Sequence, residues 1–156
     1  MLPPAITTFL FAMTPIFELR GALPWGATIG GLSLTEAFCY SVVGNIFIAI
    51  LLVLLLPKFT NFTKKYWPGL FRVLQKIFTH TRAKHSKKFE RFAEVALVIL
   101  VAIPLPGSGG WTGAMVAWLF GFKKKTAIAL ISLGIIIAGL LVAGITSGAL
   151  TLAQLF

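Results

Sequence analysis

The sequence predicts an all-α integral membrane protein of two inverted repeats, each a re-entrant helical hairpin followed by a spanning helix, with an amphipathic cytoplasmic helix between them. Three observations predict it. The 156 residues are 58% hydrophobic and 12% charged, with a mean hydropathy of +0.94, whereas a soluble domain averages about 45–50% apolar and roughly 25% charged. Two apolar stretches are long and unbroken, while two others are short-armed and interrupted. The basic residues gather between apolar stretches instead of spreading over a surface.

The unbroken stretches run from Glu36 to Pro57 and from Thr126 to Leu150, with no charge after Glu36. At 1.5 Å per residue they reach about 33 and 37 Å, enough for a hydrocarbon core of about 30 Å. Each is a spanning helix.

The first interrupted region is apolar from Pro3 to Phe17, meets Glu18-Leu19-Arg20-Gly21-Ala22-Leu23-Pro24, and resumes from Trp25 to Leu32. The second is apolar from Phe92 to Ile103, meets Pro104-Leu105-Pro106-Gly107-Ser108-Gly109-Gly110-Trp111-Thr112-Gly113, and resumes to Phe122. Their leading arms reach only about 22 and 18 Å, short of a crossing. Proline removes a backbone donor and glycine relaxes helical geometry. Both regions therefore read as hairpins that enter, turn at a non-helical tip and leave by the same face, with returning half-helices starting near Trp25 and near Trp111–Thr112. Four plain spanning helices are the alternative; they need more crossings through short arms and place Glu18 and Arg20 awkwardly.

Charge orients these elements. Of 14 Lys and Arg residues, ten lie between Lys58 and Arg91, three are Lys123, Lys124 and Lys125, and the last is Arg20. Basic loops between apolar segments mark the cytoplasmic side. The net charge of +10 therefore reads as topology and lipid-headgroup attraction, and nucleic acid is not an expected partner. The chain divides into a first repeat at 1–57, a cytoplasmic basic loop at 58–91 and a second repeat at 92–156, with both termini external. Within the loop, Leu70, Leu74, Ile77 and Phe78 recur at helical spacing after Pro68, as in an amphipathic helix on a membrane surface. His80 and His85 have no companion at metal-ligand spacing, so no metal and no cofactor are expected. Cys39 is the single cysteine, which excludes an internal disulfide. Met1-Leu2-Pro3-Pro4 lacks the basic start and small-residue cleavage site of a removable signal peptide.

Glu18 and Arg20 are the leading candidates for chemistry, because ionisable residues within a bilayer are costly and usually functional. Two positions apart, they do not face each other on a helix. Either the tip is unwound and they pair locally, or each reaches toward the other repeat. Desolvation favours a protonated carboxyl, which suits Glu18 to carrying a proton; Arg20 then contacts a substrate anion. A static ion pair holding the tip is the bland alternative. Gly107, Ser108 and Gly109 offer free backbone N–H groups and a hydroxyl, an arrangement that cradles anions. The half-helix start at Trp111 and Thr112 adds partial positive charge, although glycine also serves close helix packing. Asn45 is a polar residue inside a spanning helix, placed to bond an unwound tip. Gly134, Ala138, Gly144 and Gly148 read as packing contacts. Trp25, Trp111 and Trp118 suit either a pocket wall or an interfacial anchor. With Glu18, Glu36, Glu90 and Glu94 as the only acids, and no nucleophile triad or phosphate-binding P-loop, enzymatic activity is not expected.

The two tips, with Gly44-Asn45 and the Arg82-Ala83-Lys84 to Glu90 stretch, resemble the paired signatures of the small multi-drug export protein family over nearly the whole chain. The family usually has Thr where Ser108 stands, and Ser keeps the hydroxyl. The layout also resembles the wider DedA superfamily, which implies opposed re-entrant hairpins and movement of lipid phosphates with proton coupling, or lipid scrambling. The expectation is thus a transporter or flippase of a prokaryotic cytoplasmic membrane, moving an anionic amphiphile as a homodimer among membrane lipids. A cation or multidrug exporter is the alternative, and a membrane scaffold recruiting partners through the basic loop is a third.

Overall fold

The computed structural model describes residues 2–69, 71, 72, 75, 76, 87–105 and 108–153. Among these, helices and their connections account for everything and there is no strand. The helices are α1 (Pro4–Met13), α2 (Glu18–Thr28), α3 (Leu34–Tyr66), α4 (Lys87–Ala102), α5 (Gly110–Phe120) and α6 (Lys124–Ala153). Of the expected amphipathic segment, residues 68, 69, 71, 72, 75 and 76 are helical. The remainder, with His80 and His85, lies outside the described residues, as do Pro106 and Gly107.

Pro15 ends α1. The residue before a proline is pushed out of the helical region, and Thr14 is extended at φ −74°, ψ 145°. Its hydroxyl donates to the Phe11 carbonyl at 2.7 Å and accepts from the Phe17 N–H at 3.3 Å, closing a short turn. α2 then runs back along α1: the Phe11 ring lies 5.4 Å from Phe17 and 5.0 Å from Trp25, and Gly26 packs on Thr8. The first break therefore falls at Thr14–Phe17 and not at Glu18–Pro24. Pro24 is accommodated inside α2, where it forfeits one backbone bond, and the returning helix starts at Glu18, seven residues before Trp25.

The second interruption follows the sequence more closely. Pro104 stops α4 by the same effect at Ile103, and α5 starts at Gly110, one residue before Trp111. Gly113 packs on Val101 of α4 and Ile131 of α6.

The two long helices are antiparallel. Gly139 of α6 lies against Phe38 and Val42 of α3, whereas Val53 and Pro57 share a cleft with Lys124 and Ala127. α3 opens with a capping box in which the Glu36 N–H donates to Ser33 Oγ at 3.3 Å and the Ser33 N–H to Glu36 Oε2 at 2.9 Å. It continues through Pro57 to Tyr66, beyond the end the sequence suggested. There Trp118 Nε1 donates to Thr60 Oγ1 at 3.1 Å and ties the extension to α5. Leu19, Leu23, Leu97, Val101, Ile131 and Ile135 form the fully buried centre, where α6 packs on α2, α3 and α4.

Gly134 and Ala138 pack as expected, Gly134 directly on Val101. Gly144 and Gly148 do not: a Cβ at either would meet nothing within 4 Å, because both lie on the exposed face of α6, opposite the buried Thr146. Less than half of each long helix's apolar window is buried, 39% in α3 and 33% in α6. A soluble protein's core helix would bury most of that surface; here the apolar faces point outward, as lipid requires.

Candidate functional site

The two interruptions meet. Glu18, the first residue of α2, sends its carboxylate across to the start of α5, where Oε1 accepts the Trp111 N–H at 3.3 Å. The carboxylate is 5% exposed. It therefore caps a helix from outside that helix, at the end where backbone N–H groups are unpaired and the dipole favours negative charge. Arg20, one turn into α2, reaches the opposite shoulder of the second break. Its Nη2 donates to the Ile103 carbonyl at 3.0 Å and to Ser108 Oγ at 3.1 Å. The Ser108 hydroxyl in turn lies 2.8 Å from the Ile103 carbonyl and 3.0 Å from that of Leu105. A fourth bond runs the other way, from Trp111 Nε1 to the Met13 carbonyl at 3.0 Å, and satisfies an orphan acceptor at the end of α1.

Glu18 and Arg20 thus do not pair locally; each reaches the other half of the chain. This follows from the helical start at Glu18, which turns residues 18 and 20 to different faces. Glu18 itself takes φ +46°, a left-handed conformation that costs a side-chain-bearing residue about 1–2 kcal/mol. Backbone strain of this kind collects at functional sites.

The glycines have a local reason. A Cβ on Gly109 would fall on the Glu18 carboxylate, and a Cβ on Gly110 would fall on Asn45 Oδ1. The Gly109–Gly110 step is clamped between an acid from α2 and an amide from α3, with no room for any other residue. Asn45 is 3% exposed, and its Oδ1 has no hydrogen-bond partner among the described residues. The same is true of Ser41 Oγ, one turn earlier on α3, and of Arg20 Nη1. Buried polar atoms are nearly always paired, so the unpaired Arg20 Nη1 and Asn45 Oδ1 at the junction mark it as a place for a ligand or water.

Glu18, Arg20, Ser108, Gly109 and Trp111 are therefore assembled at one point, with Asn45 on its far side at Gly110. Thr112 stands in the first turn of α5. Gly107 lies outside the described residues. The sequence did not reveal the Met13 and Ile103 carbonyls, since backbone acceptors carry no residue signature. It also passed over Ser41, whose one signal was its position four residues before Asn45 in an otherwise apolar stretch.

Two long, outward-facing apolar helices around a buried junction of charged residues are the marks of a helical membrane protein. Its family follows from comparison. The model of the family described as Putative small multi-drug export protein matches residues 18–141, and the chain belongs to that family. The match opens on Glu18 and takes in both sides of the junction. No curated protein and no solved structure matches the chain.

Proposed function

We propose that the chain is a secondary transporter of a prokaryotic cytoplasmic membrane, moving an amphiphile with an anionic headgroup such as a lipid phosphate, with Glu18 as its proton-responsive group. The observation that carries this reading is Arg20. It is the one basic residue outside the two loop clusters, and it reaches the opposite half of the chain with Nη1 lacking a partner among the described residues. A guanidinium with spare donors beside a helix N-terminus suits phosphate, sulfonate or carboxylate better than a cation.

An inverted repeat with two re-entrant hairpins is part of the proposal. In support, each half places a glycine of its long helix on a carbonyl of its leading helix: Gly44 on Phe9 and Gly134 on Val98. Pro15 and Pro104 end the leading helices at matching points, and α3 and α6 are antiparallel. Asn45, which meets α5, lies about halfway along the apolar run 36–57, consistent with tips near the bilayer midplane. The last part of α3 and the start of α6 share a cleft, so the lysines that end α3 and those that open α6 lie at one end of the described structure, as a common cytoplasmic side requires. A homodimer belongs to the reading too, and the open small face at Gly144 and Gly148 is suited to close helix contact.

The test is transbilayer movement of a labelled lipid phosphate in liposomes, with and without a pH gradient. Movement should follow the gradient, and Glu18→Gln should uncouple it. Movement indifferent to both would make the protein a scramblase with a structural Glu18. The family description favours drug export as a second reading, which we take in the form of a cationic drug bound by Glu18 and stacked on tryptophans. The tryptophans are engaged in different places, Trp25 on Phe11, Trp111 at Met13 and Trp118 at Thr60. Drug efflux that survives Glu18→Gln would sink that version.

A further inference from the structure

We propose that the Glu18 carboxylate is a tethered competitor of the transported anion: it occupies the start of α5 until it takes up a proton, so that each anion binds together with one proton. This rests on the anionic reading above and concerns how that site is regulated.

Three features of the junction lead to it. The first is occupancy. The Trp111 N–H, which an anion at the α5 terminus would use, already donates to Glu18 Oε1 at 3.3 Å, and the carboxylate fills the space over Gly109. An anion cannot take that position while Glu18 holds it. The second is unused capacity around the same terminus. Among the described residues, the buried Arg20 Nη1 has no partner, nor has Oδ1 of the 3%-exposed Asn45, which lies against Gly110, the first residue of α5. Turned over, that amide presents its NH2 group to an anion.

The third is charge balance. Arg20 is the charged group near enough to act on Glu18 electrostatically, although the two are not bonded. No residue of α5, nor any described residue from 103 to 109, is titratable. Asn45, the polar group that α3 brings to the junction, is neutral, and α6 meets Leu19 through Gly139. Ionised Glu18 therefore balances Arg20, and the junction is neutral. A bound anion balances Arg20 equally well, provided Glu18 is protonated. The two other states hold either two negative groups in contact or an uncompensated guanidinium, and a desolvated site disfavours both. Proton and anion therefore bind as a coupled pair, and the coupling is reciprocal. In the exchange the proton goes onto the Glu18 carboxylate, the Trp111 N–H passes from Glu18 to an oxygen of the anion, and no covalent bond changes except that O–H.

The test uses the full chain in detergent micelles and decanesulfonate, which keeps one negative charge from pH 5 to 8 as alkyl sulfonates do, so its own titration does not enter. Affinity should rise about tenfold for each unit the pH falls, the slope of one linked proton, over the range where free Glu18 is ionised. In weak buffer, one proton should be taken up per sulfonate bound. Glu18→Gln should bind with an affinity indifferent to pH and take up no proton; the proton count on the unsubstituted protein decides the matter even if that variant fails to fold. Sulfonate binding without proton uptake by the unsubstituted protein would overturn the competition and leave the anionic reading standing. No sulfonate binding at any pH, with decyltrimethylammonium bound in its place, would overturn both.

Discussion

Single atoms decide the junction, and the clearest case is a missing Cβ. Gly109→Ala puts a methyl group where the Glu18 carboxylate lies, so Glu18 must leave the start of α5. Transport should fall by about tenfold or more, a change equivalent to ~1.4 kcal/mol in the barrier. Gly31→Ala is the contrasting case. Gly31 has φ +68° and open space around it, so that substitution should lower stability by about 1–2 kcal/mol through backbone strain and leave transport coupling intact. At Gly110 the obstacle is Asn45 Oδ1, and Asn45→Ala removes it. Thermal unfolding of Gly110→Ala, Asn45→Ala and the double variant should show a favourable coupling of about 1 kcal/mol; strict additivity would mean that the two do not touch.

At the scale of elements, the chain uses proline and capping to place helix ends, and the tips are where those ends meet. Pro15 and Pro104 stop α1 and α4, and neither half is helical through its own tip. What fixes each tip is the other one: Glu18 caps α5, Arg20 holds the end of α4, and Trp111 holds the end of α1. A change in one half should thus be felt in the other, and Arg20→Lys should not rescue Arg20→Gln. Lysine presents one ammonium where the planar fork reaches Ile103 and Ser108 at once and keeps a second nitrogen spare. Liposome transport of the three forms checks this. The start of α3 depends on a local device instead. Ser33→Ala removes the capping box and should cost about 1 kcal/mol, read as a lower midpoint of thermal unfolding, with no effect on coupling because Ser33 lies away from the junction.

At the scale of the whole molecule, the arrangement is two interrupted helix pairs pressed together along antiparallel long helices. The lysine-rich end of α3 and the lysine-rich start of α6 fall at one end, and the connection around Gly31 falls at the other. In a Cys39→Ser background, cysteines introduced as Gly31→Cys and Lys125→Cys should react with a membrane-impermeant thiol reagent from opposite sides, Lys125→Cys from the cytoplasmic face. Labelling of both from one side would refute the orientation proposed here.

The sequence by itself determined that the protein is helical and apolar, that two helices are long enough to span, and that Glu18, Arg20 and the glycine run are unusual. Composition and run length carry that information residue by residue, because lipid demands apolar surface and proline breaks helices wherever it stands. The tertiary structure decided the rest. That the first break lies at Thr14–Phe17, that Glu18 points at Trp111 and not at Arg20, and that Gly144 and Gly148 face outward all depend on which helix lies alongside which. Residues 18 and 111 are 93 positions apart, and no local pattern records that a carboxylate from one half will cap a helix of the other. Such a contact is fixed only when packing brings an unpaired helix start and a buried acid to the same place, where each removes the other's cost of burial.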